Sequence, residues 1–152
     1  MVSPDSSSNT NGKAVTLTVN GLPVTVSAGT TVLKAAKKGW TNRVVVVFQP
    51  HRYSRTKDLY QEFLCAFNDA EKLVLADIYP AGEERIEGVS GEALYKGIKG
   101  YGHKDVAYVP DTNNIPEYLK GVALPGDIVI TLGAGDIWKA GVRFLELVRE
   151  QG

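Results

Sequence analysis

Four consecutive valines, Val44 to Val47, run through Phe48 and Gln49 into Pro50. An unbroken apolar run of this length fits a strand covered on both faces, the pattern of parallel sheets. Pro50 has no N–H to give to a ladder, so pairing is expected to stop beside it. Three later segments repeat the theme: "KLVLADIY", "DVAYV" and "DIVITL". Helical patterns fill the intervals. Leu59, Tyr60, Phe63, Leu64 and Phe67 share one face of a helix expected from Lys57 to Ala70. Further helices are expected from Ser90 to about Lys99, around Pro116, and from Ile137 to Arg149. Strands alternating with helices at this spacing predict an α/β fold, a Rossmann-like and mostly parallel sheet flanked by helices.

The N-terminal stretch has a different rhythm. "AVTLTVNGLPVTVSAG" alternates apolar and polar residues on both sides of Asn20-Gly21, a tight-turn dipeptide, and predicts a β-hairpin at the sheet edge. "TTVLKAAKKGW" supplies a threonine cap and a short helix ending at Gly39. Residues 1–12 are polar and rich in serine and asparagine and are expected to form a disordered tail. The expected organisation is therefore a tail over 1–12, hairpin and helix over 13–40, and the α/β domain over 41–152. Seventeen basic residues balance seventeen acidic ones, so no net field recruits nucleic acid or an anionic membrane. No apolar run approaches the roughly 20 residues that span a bilayer. The first residues lack the apolar core of a secretory leader, which makes a cytoplasmic location the expectation. Cys65, the single cysteine, rules out an internal disulfide and a cysteine-built metal centre, and no metal ligands are expected.

Chemistry gathers where the strands end. "PHRYSRT" sets His51, Arg52 and Arg55 beyond the valine strand, at the carboxyl edge where open α/β sheets bind ligands. Arg52 and Arg55 are three apart, so on the first turn of a helix they share a face and can form a fork for a carboxylate or phosphate. A solvated loop is the alternative. "ADIYPAGEER" places Asp77 and Glu83 at the same edge, either to face the amine of a zwitterion or to act as a turn cap and a solvent charge. Gly133 and Gly135 in "TLGAGDIW" allow close backbone approach to an anion, and tight-turn geometry accounts for them equally well. Trp138 breaks a dinucleotide fingerprint, and no phosphate-binding GxxxxGK[ST] occurs. His103, in "GYGHKD", is expected on the loop surface.

"VVVVFQPHRYSRTKDLYQEFLCAFNDAEKLVLADIYPAGEERIEGVSGEALYKGI", together with "GDIVITLGAGDIWK", resembles the C-terminal domain of the Mur ligases of bacterial peptidoglycan synthesis, in the branch that adds L-alanine to UDP-N-acetylmuramate. The resemblance runs from about Leu33 to Val148. It implies a Rossmann-like domain that receives the incoming amino acid through His51, Arg52 and Arg55. In the full-length family, ATP and magnesium activate the UDP-sugar carboxyl group as an acyl phosphate. The central ATPase and UDP-sugar domains of that family have no counterpart here, so the chain alone is expected to bind no cofactor, to hold L-alanine weakly, and to be inactive unless the missing domains join it. "VTLTVNGLPVTVSAGTTVLKAA" stands where the family carries a motif like DDYGHHP, and it resembles the opening of 2Fe–2S ferredoxin-type domains without their cluster cysteines. A stand-alone module for small anions or nucleotides, and a chimeric folded domain without activity, are the rival functions.

Overall fold

The structure is a computed structural model that describes residues 14–19 and 22–150. The chain divides into two compact units, Met1–Gly39 and Trp40–Gly152. In the first, β1 (Ala14–Val19) and β2 (Leu22–Ser27) pair antiparallel, with Val15 opposite Val26 and Thr16 opposite Thr25. The threonine hydroxyls of that second pair meet at 2.9 Å. Helix α1 (Val32–Gly39) packs along β2 and buries Leu33, Ala35 and Ala36. Thr31 accepts the Lys34 N–H at its start, and Lys38 Nζ donates to Thr25 O at 2.7 Å. The expected Asn20-Gly21 turn and the tail over 1–12 lie outside the described residues.

The second unit is built on β3 (Val44–Gln49), whose six residues are all buried. It pairs in parallel with β4 (Lys72–Leu75) on one side and β6 (Ile128–Gly133) on the other, and β5 (Val106–Tyr108) extends the sheet beyond β4. The order is β5-β4-β3-β6. Side chains alternate across β3. Val45 and Val47, with Val74 and Ala76, face α5 (Ile115–Val122) and α6 (Ile137–Arg149) through Ile115, Leu119, Ile137, Ala140 and Phe144. Phe48 points to the opposite face, where its ring lies 5.2 Å from that of Phe63 and 4.8 Å from that of Phe67. The helices α2 (Tyr53–Asp58), α3 (Tyr60–Cys65) and α4 (Gly91–Tyr101) belong to the β3–β4 and β4–β5 crossovers. No helix among the described residues is long and apolar enough to cross a membrane.

Two local expectations change. The helix placed from Lys57 to Ala70 begins four residues earlier, ends at Cys65, and is interrupted at Leu59 (φ −102°, ψ 18°). Thr56 Oγ1 donates back to Arg52 O at 2.8 Å, one turn before, a bond that bends helices. His103 is not on the surface but buried, at 8% exposure. Gly102 ends α4 at φ 111°, and the His103 N–H returns to Ile98 O, which turns the imidazole inward. Its Nδ1 accepts from the Asp105 N–H, so Nε2 carries the hydrogen and donates to Phe67 O at 3.0 Å.

At the amino ends of β3 and β6, Arg43 grips Asp127 with two bonds, Nη2 to Oδ2 at 2.6 Å and Nε to Oδ1 at 3.0 Å. Nη2 also donates to Val122 O, and Asp127 Oδ2 accepts the Leu124 N–H. The Arg43 hydrogen bond holds the Asp127 carboxyl below its ordinary range although burial opposes it. A carboxylate with a depressed folded pKa stabilises the fold above its unfolded value of about 3.9 and loses that contribution as pH falls through the folded value. Asp127→Asn is therefore expected to cost about 2 kcal/mol in denaturant unfolding at neutral pH. Its deficit relative to the parent should shrink as pH falls below about 4.

Candidate functional site

The sheet order sets the place. The chain steps outward from β3 through β4 to β5, then returns past β3 to lay down β6. The direction of winding reverses between β3 and β6, and the crevice at their carboxyl ends is where such sheets take ligands. Beyond β3, His51, Arg52, Ser54, Arg55, Asp58 and Leu59 line an open cleft of about 550 Å³. Both arginines are exposed.

His51 continues the parallel pairing through a bridge to Tyr79, and the two rings stack at 5.9 Å with 12° between their planes. The next residue, Arg52, has φ 67° and ψ 143°. A side chain with a Cβ is crowded there, at a cost of about 1–3 kcal/mol. Hydrogen bonds hold the turn on both sides. The Arg52 N–H donates to Tyr79 O at 2.9 Å, and Arg52 O accepts from the Thr56 N–H and from Thr56 Oγ1. Thr56 is itself buried, at 1% exposure, which fixes the acceptor's direction.

The parallel sheet brings the acidic candidates to the same edge and then separates them. Glu83 reaches α2: its Oε1 accepts from Ser54 Oγ at 2.6 Å and its Oε2 from the Ser54 N–H at 3.0 Å. These two bonds, the side-chain one foremost, hold the Glu83 carboxyl below its ordinary range, and the Arg52 charge adds to them. The first turn of α2 was the expected seat for a ligand anion; the Ser54 N–H in that turn instead carries the protein's own carboxylate. Asp77 lies in an adjoining cleft of about 370 Å³ with Tyr53, Arg85 and Ser90. Its Oδ1 accepts the N–H groups of Ile78 and Gly91, tying the exit of β4 to the start of α4. Burial, then the Asp77 charge, push the Tyr108 phenol up to about 12.

The glycine turn after β6 closes the crevice. A Cβ on Gly133 (φ 152°) would lie 2.7 Å from Gln49 O, and one on Gly135 (φ 99°) would touch the Tyr79 ring at 3.8 Å. The close approach that these glycines permit is to β3 and to Tyr79. The sequence had not singled out Ser54 or Tyr79. Both lie inside quoted motifs, but their roles depend on partners 29 and 28 residues away.

The second unit is thus an α/β domain whose parallel sheet carries two exposed arginines in an open cleft beyond the carboxyl end of β3. Residues 11–135 match the family described as "Mur ligase, glutamate ligase domain", and the chain belongs to that family. It is 56% identical over 117 residues to the UDP-N-acetylmuramate–L-alanine ligase of Geotalea uraniireducens, covering 77% of this chain and 26% of the relative. It is 50% identical over 139 residues to that of Geobacter sulfurreducens, covering 87% and 30%. A crystal structure of UDP-N-acetylmuramate–alanine ligase from Thermotoga maritima superposes with a TM-score of 0.58 at 26% identity, over 80% of this chain and 24% of that one. The chain thus spans about a quarter of the length of the relatives it matches.

Gly133→Ala is expected to destabilise the domain by about 1–3 kcal/mol, because backbone at Gln49 and a positive φ both resist a methyl group. Thermal unfolding of the variant checks this, with Gly100→Ala, where a Cβ meets open space inside α4, unchanged or slightly raised.

Proposed function

We propose that this domain receives the amino-acid substrate of an L-alanine-adding Mur ligase, with Arg52 and Arg55 holding its carboxylate. The observation that supports this most is the backbone of Arg52. A strained residue survives only where surrounding bonds over-determine it, and such residues gather at ligand sites. Here the strain lies beneath a guanidinium in an open cleft beyond the carboxyl end of β3. The family membership supports the ligase class, and the names of the relatives supply L-alanine as the amino acid.

In this proposal the guanidinium groups bind and orient, and His51, stacked on Tyr79, borders the carboxylate. Asp77, in the adjoining cleft, offers the acidic group for the amine. Gly133 and Gly135 shape the crevice wall by letting the turn after β6 lie close against Gln49 and Tyr79. ATP, magnesium and the UDP-sugar belong to the rest of the full-length ligase. The described residues contain no group of three His, Cys, Asp or Glu side chains that fits a metal ion. The work of this domain is then to deliver the amine to an activated carboxyl group held by other domains, in the cytoplasm where these precursors are joined. The isolated chain would form no amide and hydrolyse no ATP.

A charge-assisted hydrogen bond at such a site contributes roughly 1.5–3 kcal/mol. Without the closing domains, L-alanine should bind in the millimolar range, about −4 kcal/mol. Amide chemical-shift titration with L-alanine should move resonances around Arg52 and Arg55. Arg52→Ala and Arg55→Ala should each abolish the response, and Lys96→Ala, on the exposed face of α4, should leave it intact. Equal responses from all variants would remove the carboxylate fork.

A further inference from the structure

Among the described residues, the two with positive φ that are not glycine are Arg52 (φ 67°) and Ala81 (φ 50°). They lie in different loops, 29 positions apart in the chain, as do Ser54 and Glu83. Each strained residue stands two positions before one end of the same hydrogen-bonded contact: Arg52 before Ser54, and Ala81 before Glu83. The turn that carries Ala81 is closed by the Glu83 N–H donating to Pro80 O at 3.0 Å, with Gly82 also at positive φ (84°). Those φ signs are the ones a two-residue primed turn requires, and alanine tolerates them poorly. Nothing in the apolar core calls for that turn. Its product is a carboxylate delivered to both donors of Ser54.

We propose that Glu83 is a positioning residue for Arg52, a latch from the β4 exit segment that holds the strained arginine turn in its binding geometry. This rests on the assignment of Arg52 to the ligand carboxylate. The mechanics are local. The segment after β4 holds the turn at two points, Tyr79 O on the Arg52 N–H and Glu83 on Ser54. With both in place, the chain between them cannot relax Arg52 toward negative φ without breaking a bond. With the Ser54 contact gone, one bond to Tyr79 O and the Thr56 pair hold the strain. The Glu83 charge also compensates the first turn of α2, so it leaves the two arginines, and not the helix start, as the seat for a ligand anion. Glu83 thus acts through Ser54 and does not itself touch the amino acid.

Amide hydrogen exchange on the 152-residue chain tests this without any ligand. In Glu83→Ala the Arg52 amide should exchange at least about tenfold faster, the factor that corresponds to 1.4 kcal/mol, with Val45, Val46 and Val47 unchanged. Ser54→Ala should give a smaller effect, and adding it to Glu83→Ala should give no further acceleration. Ser54→Thr, which keeps both donors, should retain parental protection. An Arg52 amide as protected in Glu83→Ala as in the parent overturns the latch, as does equal acceleration in β3, which would mark a general loss of stability. L-alanine titration of the same variants gives the functional arm, with binding expected to weaken about tenfold in Glu83→Ala and to stay at the parental level in Ser54→Thr. Undiminished binding in Glu83→Ala overturns the positioning role. If the parent chain itself shows no L-alanine response, the amino-acid assignment falls, and the exchange data still decide whether Glu83 holds the turn.

Discussion

Complete exclusion of water from both faces of one short strand is the constraint on which the larger unit depends. Val44 to Val47 expose no surface, and a strand in that position needs a neighbour on each edge and a helical layer on each side. The parallel ladders to β4 and β6 meet the first need. The layers built on Ile115, Leu119 and Phe144, and on Phe63 and Phe67 opposite, meet the second. Burial of a valine side chain stabilises by roughly 1.5–3 kcal/mol, so these four residues fix the strand's register firmly. That register determines where β3 stops. Everything proposed for function hangs from the turn just beyond it.

A chain of polar contacts runs from that turn along the carboxyl edge. His51 bridges to Tyr79, the Tyr79 carbonyl takes the Arg52 amide, Glu83 takes Ser54, and Gly135 brings the last loop against the Tyr79 ring. Three loops, those after β3, β4 and β6, therefore meet around one aromatic residue. The arrangement explains why the cleft can be open and solvated and still have a defined shape. Its walls are largely exposed side chains, but its frame is backbone bonded to backbone and to the Glu83 carboxylate.

Much of the fold was legible in the residues, and the boundary of that legibility has a physical cause. The valine run, the Ser90 cap and Pro116 are local signals, and the elements they announced appear: β3, α4 and α5. The interruption at Leu59 (φ −102°, ψ 18°) is a local departure of the backbone, which periodicity does not encode. His103 reads as polar and therefore exposed, yet both of its ring nitrogens are satisfied by backbone, so burial costs it little. At the site, the edge position of His51, Arg52 and Arg55 came from strand direction alone. The separation of Asp77 from Glu83 did not, because it depends on a turn with two positive φ angles and on which backbone donors each carboxylate finds.

The bond between Arg43 and Asp127 lies at the opposite end of β3 from the arginine cleft. The fold is thus pinned at one rim of the sheet while the arginine cleft opens at the other, with the dry valine ladder between them. Substitutions of the exposed side chains that line the cleft touch neither the pinned rim nor the ladder. A scaffold arranged this way keeps the residues that hold it together apart from those that line its cleft, so the lining can vary while the opposite rim keeps the sheet in register.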